Sequence, residues 1–272
     1  MSAIPKPRKK VTAPGIRAQK GKTPITALTA YDYPTARLVD ESGIDVILIG
    51  DSLGPNVLGL ESTLPVTLEE MIAATRAVAR GAENALLVGD LPFGAYHESV
   101  EQAVRSSIRF VKEGGAEAVK MEGGAERAAA IRAVVDVGVP VMAHIGLRPQ
   151  AMHQMGGFRV QGRTDAAAEQ ILADARAVTD AGAFSVVLEG IPSVLGQAIT
   201  ESIEIPTIGI GAGPSCDGQI LVFTDLVGLT FGHVPKFVRT YADTKSVIAE
   251  ALEGFRRDVV DHGFPSADES YG

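Results

Sequence analysis

Residues 46–52 read VILIGDS: four aliphatic residues, a glycine, then a carboxylate and a hydroxyl. The apolar run is that of a strand buried on both faces, as in a parallel sheet. The carboxylate at its end gains nothing from such burial, because an unpaired charge in apolar surroundings is costly. The same break recurs along the chain. LLVGD ends at Asp90, AVKMEGG carries Lys120 and Glu122, VMAHIG carries His144, and VVLEG holds Glu189. Polar ends repeated on strand after strand point to one shared site, and so to an enzyme built on a parallel barrel.

Working outward, apolar runs predict strands at 25–29, 46–50, 85–89, 118–122, 139–144, 185–189, 207–210 and 226–230. Helix-like stretches lie between them at 33–42, 68–80, 100–113, 125–137 and 166–181, each followed by glycine, the expected left-handed cap. Eight βα units in about 250 residues match a (β/α)₈ TIM barrel in count and length. A doubly wound open sheet is the alternative, but it seldom uses eight units so regular. Two connections, 53–67 and 146–164, exceed the usual loop length. Both follow a predicted strand, which puts them on the carboxyl-terminal face as walls or lids of a site.

The composition fits one catalytic domain, 23–272, behind a basic extension, 1–22. Apolar residues make up 46% of the 272, with no tryptophan, so small aliphatic residues carry the packing. Residues 1–22 hold seven Lys and Arg and no acid; removing that +7 from the net −8 leaves −15 on the remaining 250. An acidic body argues against nucleic acid as a ligand. The prolines and glycine of the extension suit a solvated, irregular terminus. No apolar run approaches the ~20 residues of a membrane span. Cys216 is the only cysteine, so no internal disulfide forms and a cytoplasmic setting is expected.

Adjacent strands lie ~4.8 Å apart, so Asp51, Asp90 and Glu122 at successive strand ends can reach one ion. Three carboxylates that close repel unless neutralised. An all-oxygen set favours a hard cation, Mg²⁺ before Mn²⁺ or Ca²⁺. Capping of the following helix or turn would explain one such acid, but not three on neighbouring strands. Lys120 shares a strand face with Glu122. It could neutralise that acid, bind a substrate carboxylate, or both. His144 is either a structural hydrogen-bonder or a substrate-binding group. Glu189, desolvated by apolar neighbours, is either a salt-bridged acid or a general base. The glycines of 209–213 follow the seventh strand, where barrels often hold phosphate. No basic residue stands beside them, so close backbone approach is the better reading.

With these residues placed, the chain resembles the ketopantoate hydroxymethyltransferase family. The matching segments are TAYDYPTARLVDESGIDVILIGDSLG, STLPVT, GDLPF, VKMEGG, AHIGLRPQ, GGFRVQGR, LEGIP, IGIGAG, CDGQILV and HVPKF, in order between about residues 26 and 237. The resemblance implies Mg²⁺ and 5,10-methylenetetrahydrofolate, with 3-methyl-2-oxobutanoate as substrate and 2-dehydropantoate as product, in pantothenate biosynthesis. By motif it implies Asp51 and Asp90 as metal ligands with Glu122 close to the ion, and Asp51, Ser52, Asp90, Lys120 and His144 as the oxoacid-binding set. It implies Glu189 as proton acceptor and a homodecamer as the assembly. A rival reading keeps the barrel and Mg²⁺ but makes the chain a 2-oxoacid lyase or mutase of the isocitrate lyase and phosphoenolpyruvate mutase type. A non-catalytic scaffold is disfavoured, since it gains nothing from desolvated acids.

Overall fold

A computed structural model describes residues 9–271 and divides the chain into two compact units, one running to Val222 and one beginning at Phe223. The first is a closed barrel of eight parallel strands in sequence order. The strands are β1 Ile25–Thr29, β2 Val46–Ile49, β3 Leu86–Asp90, β4 Ala118–Glu122, β5 Val141–Gly146, β6 Ser185–Glu189, β7 Thr207–Ile210 and β8 Gly218–Leu221. Helices α2 Tyr33–Glu41, α3 Leu68–Gly81, α4 Val100–Arg109, α5 Ala128–Asp136, α6 Asp165–Asp180 and α7 Ser193–Ser202 follow the first short helix, α1 Ala13–Arg17. The barrel therefore has the architecture read from the sequence.

Helix entry is set by side-chain caps. Asp32, Ser99 and Thr164 each accept the backbone N–H three residues on, and Thr67 and Glu70 form a capping box at α3. Inside the barrel, Ala27, Val46, Leu48, Leu86, Val88, Ala118, Met142 and Ile220 pack into one apolar core. The end where strands begin is thus apolar, and the charged side chains gather where strands finish.

Three expectations change. The eighth strand is Gly218–Leu221, not 226–230. A Cβ on Gly218 would lie 2.4 Å from the Ile25 carbonyl, so closing the barrel onto β1 demands a glycine that masks the strand's apolar signal. Of the extension 1–22, residues 1–8 lie outside the described residues, and the rest is built into the barrel. Ile16 of α1 is fully buried in the core with Ala13. Lys20 pairs with Asp217 at 2.8 Å, Lys10 pairs with Glu117 at 2.7 Å, and the Val11 N–H donates to the Asn84 carbonyl. Finally, the barrel ends at Val222, so it does not extend to 272.

The second unit contains the short helix Phe223–Leu226 and α8, Thr244–Val260, entered through Asp243, which accepts the Ser246 N–H. None of the α8 side chains is buried, and Val247, Leu252, Phe255 and Val260 stand exposed.

Candidate active site

Strand register assembles the site stepwise. Asp90 lies opposite Lys120, Glu122 opposite His144, and Gly146 opposite Glu189. Each step carries the charged layer to the next strand at the carboxyl-terminal face. Asp51 follows β2 immediately and joins this layer through its own backbone, whose N–H donates to Asp90 Oδ2 at 3.1 Å. The six ionisable residues expected at the site therefore form one connected cluster, buried except for the half-buried Glu189. Ser52 stands at its edge, with its hydroxyl 2.8 Å from Tyr31 Oη.

Lys120 Nζ is 2.9 Å from Asp90 Oδ1 and 3.6 Å from Glu122 Oε1. His144 Nδ1 is 3.4 Å from Glu122 Oε1, and its Nε2 is 3.2 Å from Glu189 Oε2. Burial and Lys120 oppose a charge on the imidazole, yet Glu122 and Glu189 outweigh them and raise its pKa to about 9. That shift favours the imidazolium, and each ring nitrogen lies within ion-pair distance of a carboxylate oxygen. Lys120 Nζ also lies 3.3 Å from His144 Nδ1, within hydrogen-bond reach.

Four carboxylates (Asp51, Asp90, Glu122 and Glu189) face two cations (Lys120 and His144), leaving a surplus of two negative charges when all are ionised. The surplus does not fall evenly. Burial favours the neutral form of Glu122, but Lys120 and His144 prevail and hold it below its ordinary value. Asp51 is driven well above its ordinary value, by burial first and then by the charges of Asp90 and Glu122. Asp90 is raised as well, by burial that its contact with Lys120 only partly offsets. The net surplus of two negative charges across the cluster is what a divalent cation would offset.

Among the described residues no group of three or more His, Cys, Asp or Glu side chains is arranged to hold a metal ion. The candidate donor set is the pair Asp51 and Asp90. Mg²⁺ is commonly held by one or two carboxylates, with water and substrate oxygens completing its shell. The residues present fit that mode. Glu122 is turned toward Lys120, His144 and the Gln150 backbone N–H, 3.1 Å from its Oε2.

Two further residues were not anticipated. Gln150 Nε2 donates to Asp51 Oδ2 at 2.8 Å and to the Leu91 carbonyl at 2.9 Å. Tyr96 Oη donates to Gln150 Oε1 at 2.7 Å and accepts the Glu122 N–H at 3.1 Å. Both residues are buried. Each lies in a connection rather than a strand, where no alternation marks burial; Gln150 closes the AHIGLRPQ stretch, whereas Tyr96 lies just beyond GDLPF and no segment flagged it. The glycine cluster serves close packing: a Cβ on Gly213 would lie 2.4 Å from Ser193 Cβ, and one on Gly196 would lie 2.3 Å from the Ala212 carbonyl.

A closed parallel barrel with a buried titratable cluster at its carboxyl-terminal mouth defines a (β/α)₈ enzyme. Phosphonopyruvate hydrolase superposes with a TM-score of 0.62 at 15% identity, covering 96% of this chain and 92% of that one. A 2,3-dimethylmalate lyase, a PEP mutase/isocitrate lyase superfamily member, superposes at 0.59 and 17% identity over 96% and 91%. At such identities the likeness concerns the fold. In sequence, residues 10–267 match the family model for ketopantoate hydroxymethyltransferase. The 3-methyl-2-oxobutanoate hydroxymethyltransferase of Koribacter versatilis (strain Ellin345) is 55% identical over 265 residues, 97% of this chain and 90% of that protein. The enzyme of the same name from Heliobacterium modesticaldum (strain ATCC 51547 / Ice1) is 54% identical over 266 residues, covering 97% and 96%. The chain belongs to the ketopantoate hydroxymethyltransferase family.

Proposed function

We propose that this enzyme transfers a hydroxymethyl group from 5,10-methylenetetrahydrofolate to 3-methyl-2-oxobutanoate, with Mg²⁺ as cofactor and 2-dehydropantoate as product. The observation that carries this reading is identity above one half, over nearly the whole chain, to enzymes named for that oxoacid. The surplus of negative charge across the cluster supports the cofactor.

When bound, Mg²⁺ supplies Lewis-acid polarisation of the oxoacid's keto oxygen, which acidifies the adjacent C3–H. Asp51 and Asp90 hold the ion, with Glu122 behind them. Glu189 removes the C3 proton. His144, whose Nε2 lies 3.2 Å from Glu189 Oε2, holds that carboxylate in place for the proton. Lys120 and the Ser52 hydroxyl orient the substrate carboxylate so that C3 faces the one-carbon donor. Water cleaves both C–N bonds of the methylene bridge, releasing tetrahydrofolate and formaldehyde that carries the water's oxygen. The C3 electron pair forms the new bond to the formaldehyde carbon, and the resulting alkoxide takes the proton held by Glu189 to become the hydroxyl. The connection 147–164 shields the reacting carbon from bulk water.

The decisive assay measures 2-dehydropantoate from 3-methyl-2-oxobutanoate with Mg²⁺ and the folate donor each present or omitted. The transferase reading requires both. Cleavage of a 2-oxoacid without folate would instead favour the lyase or mutase alternative. We place the enzyme in the cytoplasm and in a homodecamer; the exposed apolar residues of α8 support a self-associating chain. Among the described residues no helix is long and apolar enough to cross a membrane.

A further inference from the structure

Gln150 makes more contacts at the acid cluster than a packing residue needs. Its side-chain amide has two N–H donors and one strong acceptor, and all three are committed: the donors to Asp51 Oδ2 and the Leu91 carbonyl, the acceptor to Tyr96 Oη. Its own backbone N–H meets Glu122 Oε2. One residue thus touches carboxylates that follow β2 and end β4, together with the backbone after β3. Tyr96 closes the arrangement from behind, accepting the Glu122 N–H while giving its proton to the amide oxygen.

The amide's orientation decides what Asp51 experiences. With Oε1 held by the phenol, Nε2 faces the carboxylate and satisfies one of its two oxygens. A flipped amide would set an oxygen against Asp51 Oδ2, and the phenol would have to turn its proton to its other acceptor, the Glu122 carbonyl at 3.3 Å. Gln150 is the second residue of the helical turn Pro149–Ala151, near the start of the connection that spans the mouth. The geometry of Asp51 is therefore tied to the conformation of that connection.

We infer that Gln150, locked in one orientation by Tyr96, is a positioning residue that fixes Asp51 for the divalent cation and leaves its other oxygen to the ion. The inference rests on the metal assignment proposed above. Outer-shell partners of this kind commonly govern metal affinity by about 10–100-fold.

The test is a titration of the full-length enzyme with Mn²⁺ alone, followed by electron paramagnetic resonance, with thermal unfolding recorded in parallel. Gln150→Met and Tyr96→Phe are close in shape to the native residues, and the double variant completes a cycle. Gln150→Met is expected to weaken Mn²⁺ binding by about tenfold or more. Tyr96→Phe, which frees the amide without removing it, should weaken binding by less. The double variant should bind no more weakly than Gln150→Met, because the phenol acts only through the amide. Wild-type affinity in Gln150→Met, even with a lowered melting temperature, would reduce the residue to packing and overturn the inference. So would additive losses in the double variant. Should Gln150→Met not fold, Tyr96→Phe decides: undiminished affinity there overturns the lock. Absence of binding in the native enzyme would instead sink the metal assignment, and the inference with it.

Discussion

Asp90 shows how one residue serves two neighbours. Its Oδ1 meets Lys120, while its Oδ2 accepts the Asp51 N–H and so fixes the start of the connection after β2. Asp90→Asn preserves shape but removes charge where the deficit of cations makes charge useful. We expect Mg²⁺ affinity, measured by activity titration and by calorimetry, to fall at least about tenfold. Unchanged affinity would remove Asp90 from the ligand pair. Asp40, away from the site, gives a different prediction. Burial disfavours its charge, but the N–H groups of Ala85, Glu83 and Asn84 prevail and lower its pKa below the ordinary 3.8. Its stabilisation is therefore present above the unfolded value and lost as pH falls through the folded one. Asp40→Ala should destabilise the protein at pH 7, because it leaves the buried Ala85 N–H unpaired at about 1–3 kcal/mol. That difference should shrink below about pH 4, as followed by denaturation over a pH series. At this scale the charged residues were legible because each interrupts an apolar strand. Gln150 and Tyr96 were not, since a neutral residue in a connection interrupts nothing.

The elements tell a parallel story. Strands β1, β4, β6 and β7 fall where aliphatic periodicity places them, because burial on both faces leaves a continuous apolar run. Strand β8 escaped because its glycine and glutamine look like a turn, and only the neighbouring Ile25 backbone explains the glycine. Helix α1 escaped for a related reason: in a short segment dense with lysine and proline, Ala13 and Ile16 are too few to show a period. Yet Ile16 is fully buried. Ile16→Ala should cost about 2–5 kcal/mol, lowering the melting temperature by roughly 5–15 °C at this chain length. Deleting residues 1–22 should destabilise the barrel further, since Lys20 and Gly21 also secure Asp217 beside β8. A truncated protein that melts with the full chain would show α1 to be dispensable.

For the whole molecule, a barrel with one apolar end and one charged end explains why seven residues from five strands and their connections converge without any long-range motif. The second unit bears on assembly. An α8 with every side chain accessible is costly to leave in water unless another surface covers it. Sedimentation equilibrium is expected to give ten times the chain mass, and a monomer at micromolar concentration would contradict the decamer. The central claim is that Glu189 takes the C3 proton of an oxoacid held at Asp51 and Asp90. It is tested most directly by exchange of the C3 hydrogen of 3-methyl-2-oxobutanoate with D₂O, followed by nuclear magnetic resonance with Mg²⁺ present and folate omitted. The native enzyme should catalyse exchange only with the metal, and Glu189→Gln should lose about 10²–10⁴ of that rate. Exchange at the native rate in Glu189→Gln would contradict the account.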